Sequence, residues 1–397
     1  MSLIKDTTYI LLQNIRHFNT FFKCCIGTFF SLLIILILTN IYYYITTIVN
    51  LNLNYRRLEP ARYEIYDNID WDKPKRNFSV QIVLVIGEKY NRDYYKHAID
   101  SMECYSRIHN YRLRILKVDD FPRCKQNSTY FRRHCIVSEA VHEAELTFYS
   151  DADVGVVNPR KRIEDYALGE FANYDLIFYD RFYNWEIAMG GYLARNTSFS
   201  RNFLRGFANF EEQIPKAGIA GDDNGAFHMY FAEYVFPNYR IELKFCRKIF
   251  DKIEPNNYQH LFAFENCIRN LMGARQDFGK IYVFRKGTAW VRDNWLSNSK
   301  WNPLRDFMIH GFKMNQLTTY DVPVNSEVPI KENSRGAYFN PFYGEFDMDK
   351  CSPSNSTWNY DRNLIASMEE IESSLYERYK EIEENRLKGM ALFKDFI

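Results

Sequence analysis

The chain has 397 residues, 46% of them hydrophobic, with 30 tyrosines and 32 phenylalanines, which excludes disorder throughout and allows one large domain or two medium ones. Its 51 lysines and arginines nearly cancel 50 aspartates and glutamates, so no basic excess points to nucleic acid, and none is expected as a partner.

The first element is an uncharged run from Cys24 to Asn54. Its centre is long enough to cross a bilayer, which takes about 20 apolar residues, and Tyr42, Tyr43 and Tyr44 suit an interface. The run is too long and starts too late for a cleaved signal peptide. Lys5, Arg16 and Lys23 precede it and Arg56, Arg57 and Arg62 follow it, so positive charge does not set its orientation. A short tail before the run and a large domain after it suit a type II anchor. The sequons at Asn77, Asn127, Asn196 and Asn355 all follow the span, as do six of the eight cysteines. The expectation is a single-pass Golgi membrane protein with a lumenal domain in which at least one pair among Cys104, Cys124, Cys135, Cys246, Cys267 and Cys351 forms a disulfide.

After a stem of mixed charge, Ser79–Gly87 is a Val/Ile-rich run that reads as a buried strand. A helix is expected over Arg92–Ile108, a strand over Tyr111–Val118, a helix over Arg132–Ala144 and a strand over Leu146–Ser150. This alternation is the rhythm of an α/β domain with a parallel sheet. Asp175–Asp180 and Gly190–Asn196 add strand-like runs, and Phe199–Glu212 reads as a helix. The tail from Asp361 is helical, with Met368, Ile371, Leu375 and Ile382 as an apolar stripe. Such a stripe packs on its own domain or pairs with a second copy, which leaves a homodimer open.

Three stretches carry chemistry. In "FYSDADVGVVNP", Asp151 and Asp153 fall at the carboxyl end of a strand, where open α/β sheets bind ligands. On an extended segment, residues two apart point the same way, so the carboxylates would converge on a divalent ion; two solvated aspartates in a loop would look the same. In "MIHGFK", His310 is a candidate third ligand, Gly311 allows close backbone approach and Lys313 offers a point charge to phosphate. In "GIAGDDNGAFHMYF", Asp222, Asp223 and Asn224 either cap a helix or supply polar groups to a bound sugar.

The order of these motifs, with "GGYLARNTSFSRNFLRGFANFE" between the first and the last, resembles that of GT-A-fold glycosyltransferases. It is most similar to glycosyltransferase family 34, the α-galactosyl- and α-xylosyltransferases of fungi and plants. The chain is also similar to a nematode family known only as a domain of unknown function. The resemblance covers about Val80 to Lys313. It implies a Rossmann-like GT-A domain over 78–345, behind a tail at 1–23, an anchor at 24–49 and a stem at 50–77, with a helical extension at 346–397.

The resemblance implies further that Asp151, Asp153 and His310 hold Mn²⁺ or Mg²⁺ on a nucleotide-diphosphate sugar. By the same carry-over Gly190, Gly191, Gly311 and Lys313 contact the donor, and Asp222, Asp223 and Asn224 stand near the reacting sugar. The expected activity is transfer of a hexose or pentose to a glycan or glycoprotein acceptor with retention of configuration. Family 34 has Gln where this chain has Asn224, which leaves the donor sugar unassigned. Two alternatives remain: a metal-dependent phosphohydrolase and an inactive, membrane-anchored binding protein. No GxSxG, HExxH, Walker A or GxGxxG run is present.

Overall fold

A computed structural model describes residues 34–43, 78–87, 92–215, 223–254, 257–318, 338–342, 344–351 and 358–396. The chain divides into two units, Met1–Arg57 and Leu58–Ile397. In the first, residues 34–43 are helical (α1). The rest of the expected anchor at 24–49 lies outside the described residues, and among the described residues no helix is long and apolar enough to cross a membrane.

In the second unit, all seven residues of β1 (Val80–Ile86) are buried. Their alternation divides the core. Ile82 and Leu84 join Phe148 and Leu193 on one face of a sheet, while Val83 and Val85 join Tyr149, Tyr192 and Ala194 on the other. The sheet has six strands in the order β2-β1-β3-β6-β5-β7. Its strands are β2 (Arg112–Lys117), β3 (Leu146–Ser150), β5 (Leu176–Tyr179), β6 (Gly191–Arg195) and β7 (Ile281–Phe284) beside β1.

β1, β2 and β3 run parallel, joined by crossovers through α2 (Lys96–His109) and α3 (Thr129–Ala140). The expected all-parallel sheet is not what forms. β6 is antiparallel to both β3 and β5. The cause is the connection: β5 reaches β6 through a loop with no crossover helix, and a direct return of that kind gives an antiparallel pair. α3 also starts earlier than its apolar pattern suggests, because the Ser128 side chain accepts from the Tyr130 N–H and caps it at Thr129.

One face of the sheet is covered by α3, α4 (Ser198–Asn209), α5 (Asp223–Val235), α6 (Arg240–Asp251) and α7 (Tyr258–Met272). The other is covered by α2 and a three-stranded sheet, β4 (Val154–Val156), β9 (Met308–His310) and β8 (Val291–Asp293), in the order β4-β9-β8. β10 (Leu317–Thr318) and β11 (Tyr338–Phe339) form a separate parallel pair.

In α8 (Met368–Ala391), Ile371, Leu375, Tyr379 and Ile382 pack with Phe182, Trp185 and Leu296. A Cβ at Gly389 would lie 3.0 Å from α7 backbone at Ala263, so a glycine lets the two helices close. Three of the four stripe residues, Ile371, Leu375 and Ile382, are therefore covered by their own domain, while Met368 is half-buried.

The expected disulfide is present three times over: Cys104–Cys351, Cys124–Cys135 and Cys246–Cys267.

Candidate functional site

β3 ends at Ser150, and the chain then turns: the Val154 N–H bonds to the Asp151 carbonyl at 3.2 Å. The Asp-x-Asp segment is thus a turn between β3 and β4, not the extended run expected. The carboxylates converge for another reason. The β4–β9 register sets Val154 opposite His310, and the Gly311 and Phe312 N–H groups clamp the Asp153 carbonyl at 3.0 and 2.8 Å. Gly311 has φ +118°, in the left-handed region where a side chain is strained. One ligand atom each from Asp151, Asp153 and His310 lie within 4.8 Å of one another. Lys313 Nζ stands 3.2 Å from Asp153 Oδ2, and His310 Nε2 3.3 Å from the same oxygen.

Gly190 accepts the Asp151 N–H at 2.7 Å, and a Cβ there would lie 2.5 Å from Asp151 Oδ2. The aspartate keeps its position because that residue has no side chain. Gly191, paired with Ser150, is different: a Cβ there would find nothing nearer than 3.5 Å. Asn224 lines a pocket with Asp151, Gly190, Arg181, Asp293 and His310. Its Oδ1 accepts the Met189 N–H at 2.7 Å, so its NH2 remains the donor. Asp223 is 2% exposed and shares its Oδ2 between Arg133 and His134. Asp222 lies outside the described residues.

Four residues of the site were not picked out in the sequence. Arg133, on α3, donates to Asp151 Oδ1 at 2.5 Å through one nitrogen and to Asp223 through two others. Tyr149 OH donates to the same Asp151 oxygen at 3.1 Å. Asp293 Oδ1 sits 2.8 Å from His310 Nδ1, and Arg181 forks onto Asp293 at 3.1 and 2.9 Å. The Asp293–His310 pairing follows from the β8–β9 register, which no motif announces.

Burial is the largest influence on every group here, and the neighbours decide the outcome. Burial pushes the Asp151 carboxyl up; Arg133 pulls it back, but the nearby Asp153 charge adds to the rise. Burial also opposes ionisation of Asp153, yet His310 and Lys313 outweigh it and hold that carboxyl below the usual range. Burial lowers His310, and Asp153 and Asp293 more than reverse this, raising it to about 9. At Asp293, Arg181 and His310 outweigh burial and hold the carboxyl low. For His134 burial wins, pushing it down to about 4. A neutral His134 donates to Asp223 from Nε2 and accepts from Tyr192 OH at Nδ1.

Two carboxylates and an imidazole are a donor set suited to a divalent ion, and the nitrogen fits Mn²⁺ better than Mg²⁺.

The comparisons with known proteins complete the description. No curated protein matches the chain. Among solved structures, a glycosyltransferase involved in glycosylation of the major capsid of PBCV-1 is 13% identical, with 58% of this chain and 93% of that one covered and a TM-score of 0.38. The apo-form glycosyltransferase GlyE of Streptococcus pneumoniae TIGR4 is 14% identical, with 39% and 43% covered and a TM-score of 0.29. A197 from STIV is 13% identical, with 38% and 75% covered and a TM-score of 0.23. Likenesses at these scores carry no argument about the reaction. The family described as "Protein of unknown function, DUF273" matches residues 102–325, more than half of the sequence, and to that family the chain belongs.

Proposed function

We propose that the protein is a metal-dependent glycosyltransferase that moves a hexose or pentose from a nucleotide-diphosphate sugar to a glycan or glycoprotein acceptor. The observation that carries this reading is the meeting of Asp151, Asp153 and His310 at the carboxyl end of β3, with Lys313 beside them and a pocket lined by Gly190 and Asn224 next to them. A phosphate-bearing ligand needs cations, and a sugar needs a pocket with a few fixed polar groups.

In this reading Asp151, Asp153 and His310 hold the divalent ion, which when bound supplies positive charge to the leaving diphosphate. Lys313 adds a further cation on the same side. Gly311 and Phe312 hold Asp153 from behind through its carbonyl. Asn224, its oxygen fixed by Met189, turns an NH2 toward a sugar hydroxyl. Asp223 contributes indirectly: buried under Arg133 and His134, it positions Arg133. Retention of configuration is carried over from the family 34 resemblance.

The proposal extends to a lumenal, membrane-anchored enzyme of the Golgi. Three disulfides among the described residues suit an oxidising compartment, and the uncharged Cys24–Asn54 run suits an anchor.

The test is a panel of nucleotide sugars with the full-length chain and Mn²⁺. Slow release of nucleoside diphosphate from one donor, accelerated by a glycan acceptor, is the expected result. Release of inorganic phosphate instead would favour a phosphohydrolase. No turnover, and no binding of any donor, would favour an inert fold.

A further inference from the structure

Arg133 raises a question that the proposed chemistry leaves open. Its guanidinium reaches two carboxylates that belong to different elements: Asp223 at the start of α5, and Asp151 at the metal site. Asp223 does not need all of it. His134 already donates to Asp223 Oδ2 at 2.9 Å, and the first turn of a helix favours a negative side chain. The third nitrogen, 2.5 Å from Asp151 Oδ1, therefore calls for its own account.

At the site edge each aspartate already has a cation: Arg133 on Asp151 and Lys313 on Asp153. A free divalent ion approaching these carboxylates meets the buried Arg133 charge, held by two aspartates, and the half-exposed Lys313 charge at short range. Repulsion between like charges that close is strong even at an intermediate dielectric. A nucleoside diphosphate arrives with several negative charges and reverses the sign of that interaction. Arg133 is also well placed to hold Asp151 itself: with Tyr149 it occupies Oδ1, and no side chain among the described residues hydrogen-bonds Oδ2.

We propose, on the transferase reading above, that Arg133 makes the site select the metal–nucleoside diphosphate complex over the free metal. The cation suppresses binding of the metal alone and strengthens binding of the metal and diphosphate together. The coupling between the two ligands is then partly a property of this one residue.

The experiment is calorimetry on the full-length chain and on Arg133→Gln and Arg133→Lys variants. The probes are Mn²⁺ alone, and UDP or GDP in saturating Mn²⁺. Arg133→Gln is expected to bind free Mn²⁺ about tenfold more tightly than the parent and the diphosphate with Mn²⁺ about tenfold less tightly. Arg133→Lys, which keeps the charge, is expected to stay within about threefold of the parent for free Mn²⁺. A purely structural arginine would move both affinities down together, so Arg133→Gln with unchanged or weaker free-metal binding overturns the proposal. If that variant does not fold, the parent and Arg133→Lys decide together: equal affinity for Mn²⁺ with and without diphosphate in the parent overturns it, and an affinity at least about a hundredfold higher with diphosphate in both charge-bearing proteins supports it. A parent that binds no nucleoside diphosphate at all brings down the transferase reading, and this proposal with it. A parent that binds one in Mn²⁺ leaves the reading standing whatever the variants do.

Discussion

Two neighbouring residues of β8, Arg292 and Asp293, serve two kinds of charged cluster, and the contrast shows how to tell a lock from a site. Arg292 is 6% exposed. It forks onto Asp306 at 2.7 and 2.9 Å and donates to Ser297 Oγ at 2.7 Å and the Lys300 carbonyl at 2.6 Å. Asp306 receives, besides, the Asn302 N–H and an Arg305 nitrogen, each at 2.9 Å. Every good acceptor position is filled by groups close by in sequence. Asp293 belongs instead to the cluster with His310, Asp153 and Asp151, where contacts to Asp153 Oδ2 lengthen to 3.2 and 3.3 Å and Asp151 Oδ2 takes no side-chain donor among the described residues. A saturated carboxylate holds the fold; an unsaturated one at a pocket edge has capacity left for a ligand.

The largest effect expected from this contrast is on stability. Asp306→Ala leaves Arg292 buried and uncompensated and should cost about 3–5 kcal/mol, measured by urea unfolding. The pH dependence has a definite sign. Burial opposes ionisation of Asp306, but Arg292 and Arg305 outweigh it, so its folded pKa lies below the unfolded value. Its contribution is then fully present above the unfolded pKa of about 3.9 and is lost as pH falls through that value toward the folded one. Asp306→Asn should flatten this part of the acid limb.

Asp153→Ala should behave in the opposite way. It leaves behind Lys313, half-exposed and able to turn to solvent, and His310, able to lose its proton, rather than a fully buried arginine, so the loss should be smaller than at Asp306 and the melting temperature should move by no more than a few degrees. Binding of nucleoside diphosphate in Mn²⁺ should drop by about a hundredfold or more, since one ligand and its charge are gone. A variant that unfolds while the metal effect is small would place Asp153 with the locks.

Gly190→Ala sharpens the same point at smaller scale. Its Cβ would press on Asp151 Oδ2, a side-chain atom at the site edge that can swing away. Stability should fall by about 1–2 kcal/mol, because a half-buried side chain shifts while Arg133 and Tyr149 hold its other oxygen. Mn²⁺-dependent binding should weaken by about tenfold. Gly191→Ala, with only ordinary contacts around its Cβ, should have little effect on the metal.

The sequence disclosed those parts of the molecule that depend on local pattern. The Val/Ile run of β1, the alternation of β2 and the apolar stripe of α8 placed these elements within a few residues. The direction of β6 was not legible, because period and composition are the same for parallel and antiparallel strands. It was set by the loop between Tyr179 and Gly191, which has no helix to carry the chain back. At the site, the ordered motifs pointed to Asp151, Asp153 and His310, and the three do come together. Arg133 and Asp293 escaped because their partners are fixed only by tertiary contact: α3 laid against the β3 end, and the β8–β9 register. Reading Asp223 and Asn224 as one polar group hid a difference, since Asp223 is buried under Arg133 and His134 while Asn224 reaches the pocket wall.

In the proposed function, Asp151, Asp153 and His310 bind a divalent ion together with a nucleoside diphosphate. Calorimetric titration of UDP and GDP into the full-length chain, in Mn²⁺ and in EDTA, tests it most directly, with Asp153→Ala as the control. Binding in Mn²⁺ should fall by at least about a hundredfold in EDTA and in the variant. Equal affinity in Mn²⁺ and EDTA, or an Asp153→Ala variant that binds like the parent, would contradict it.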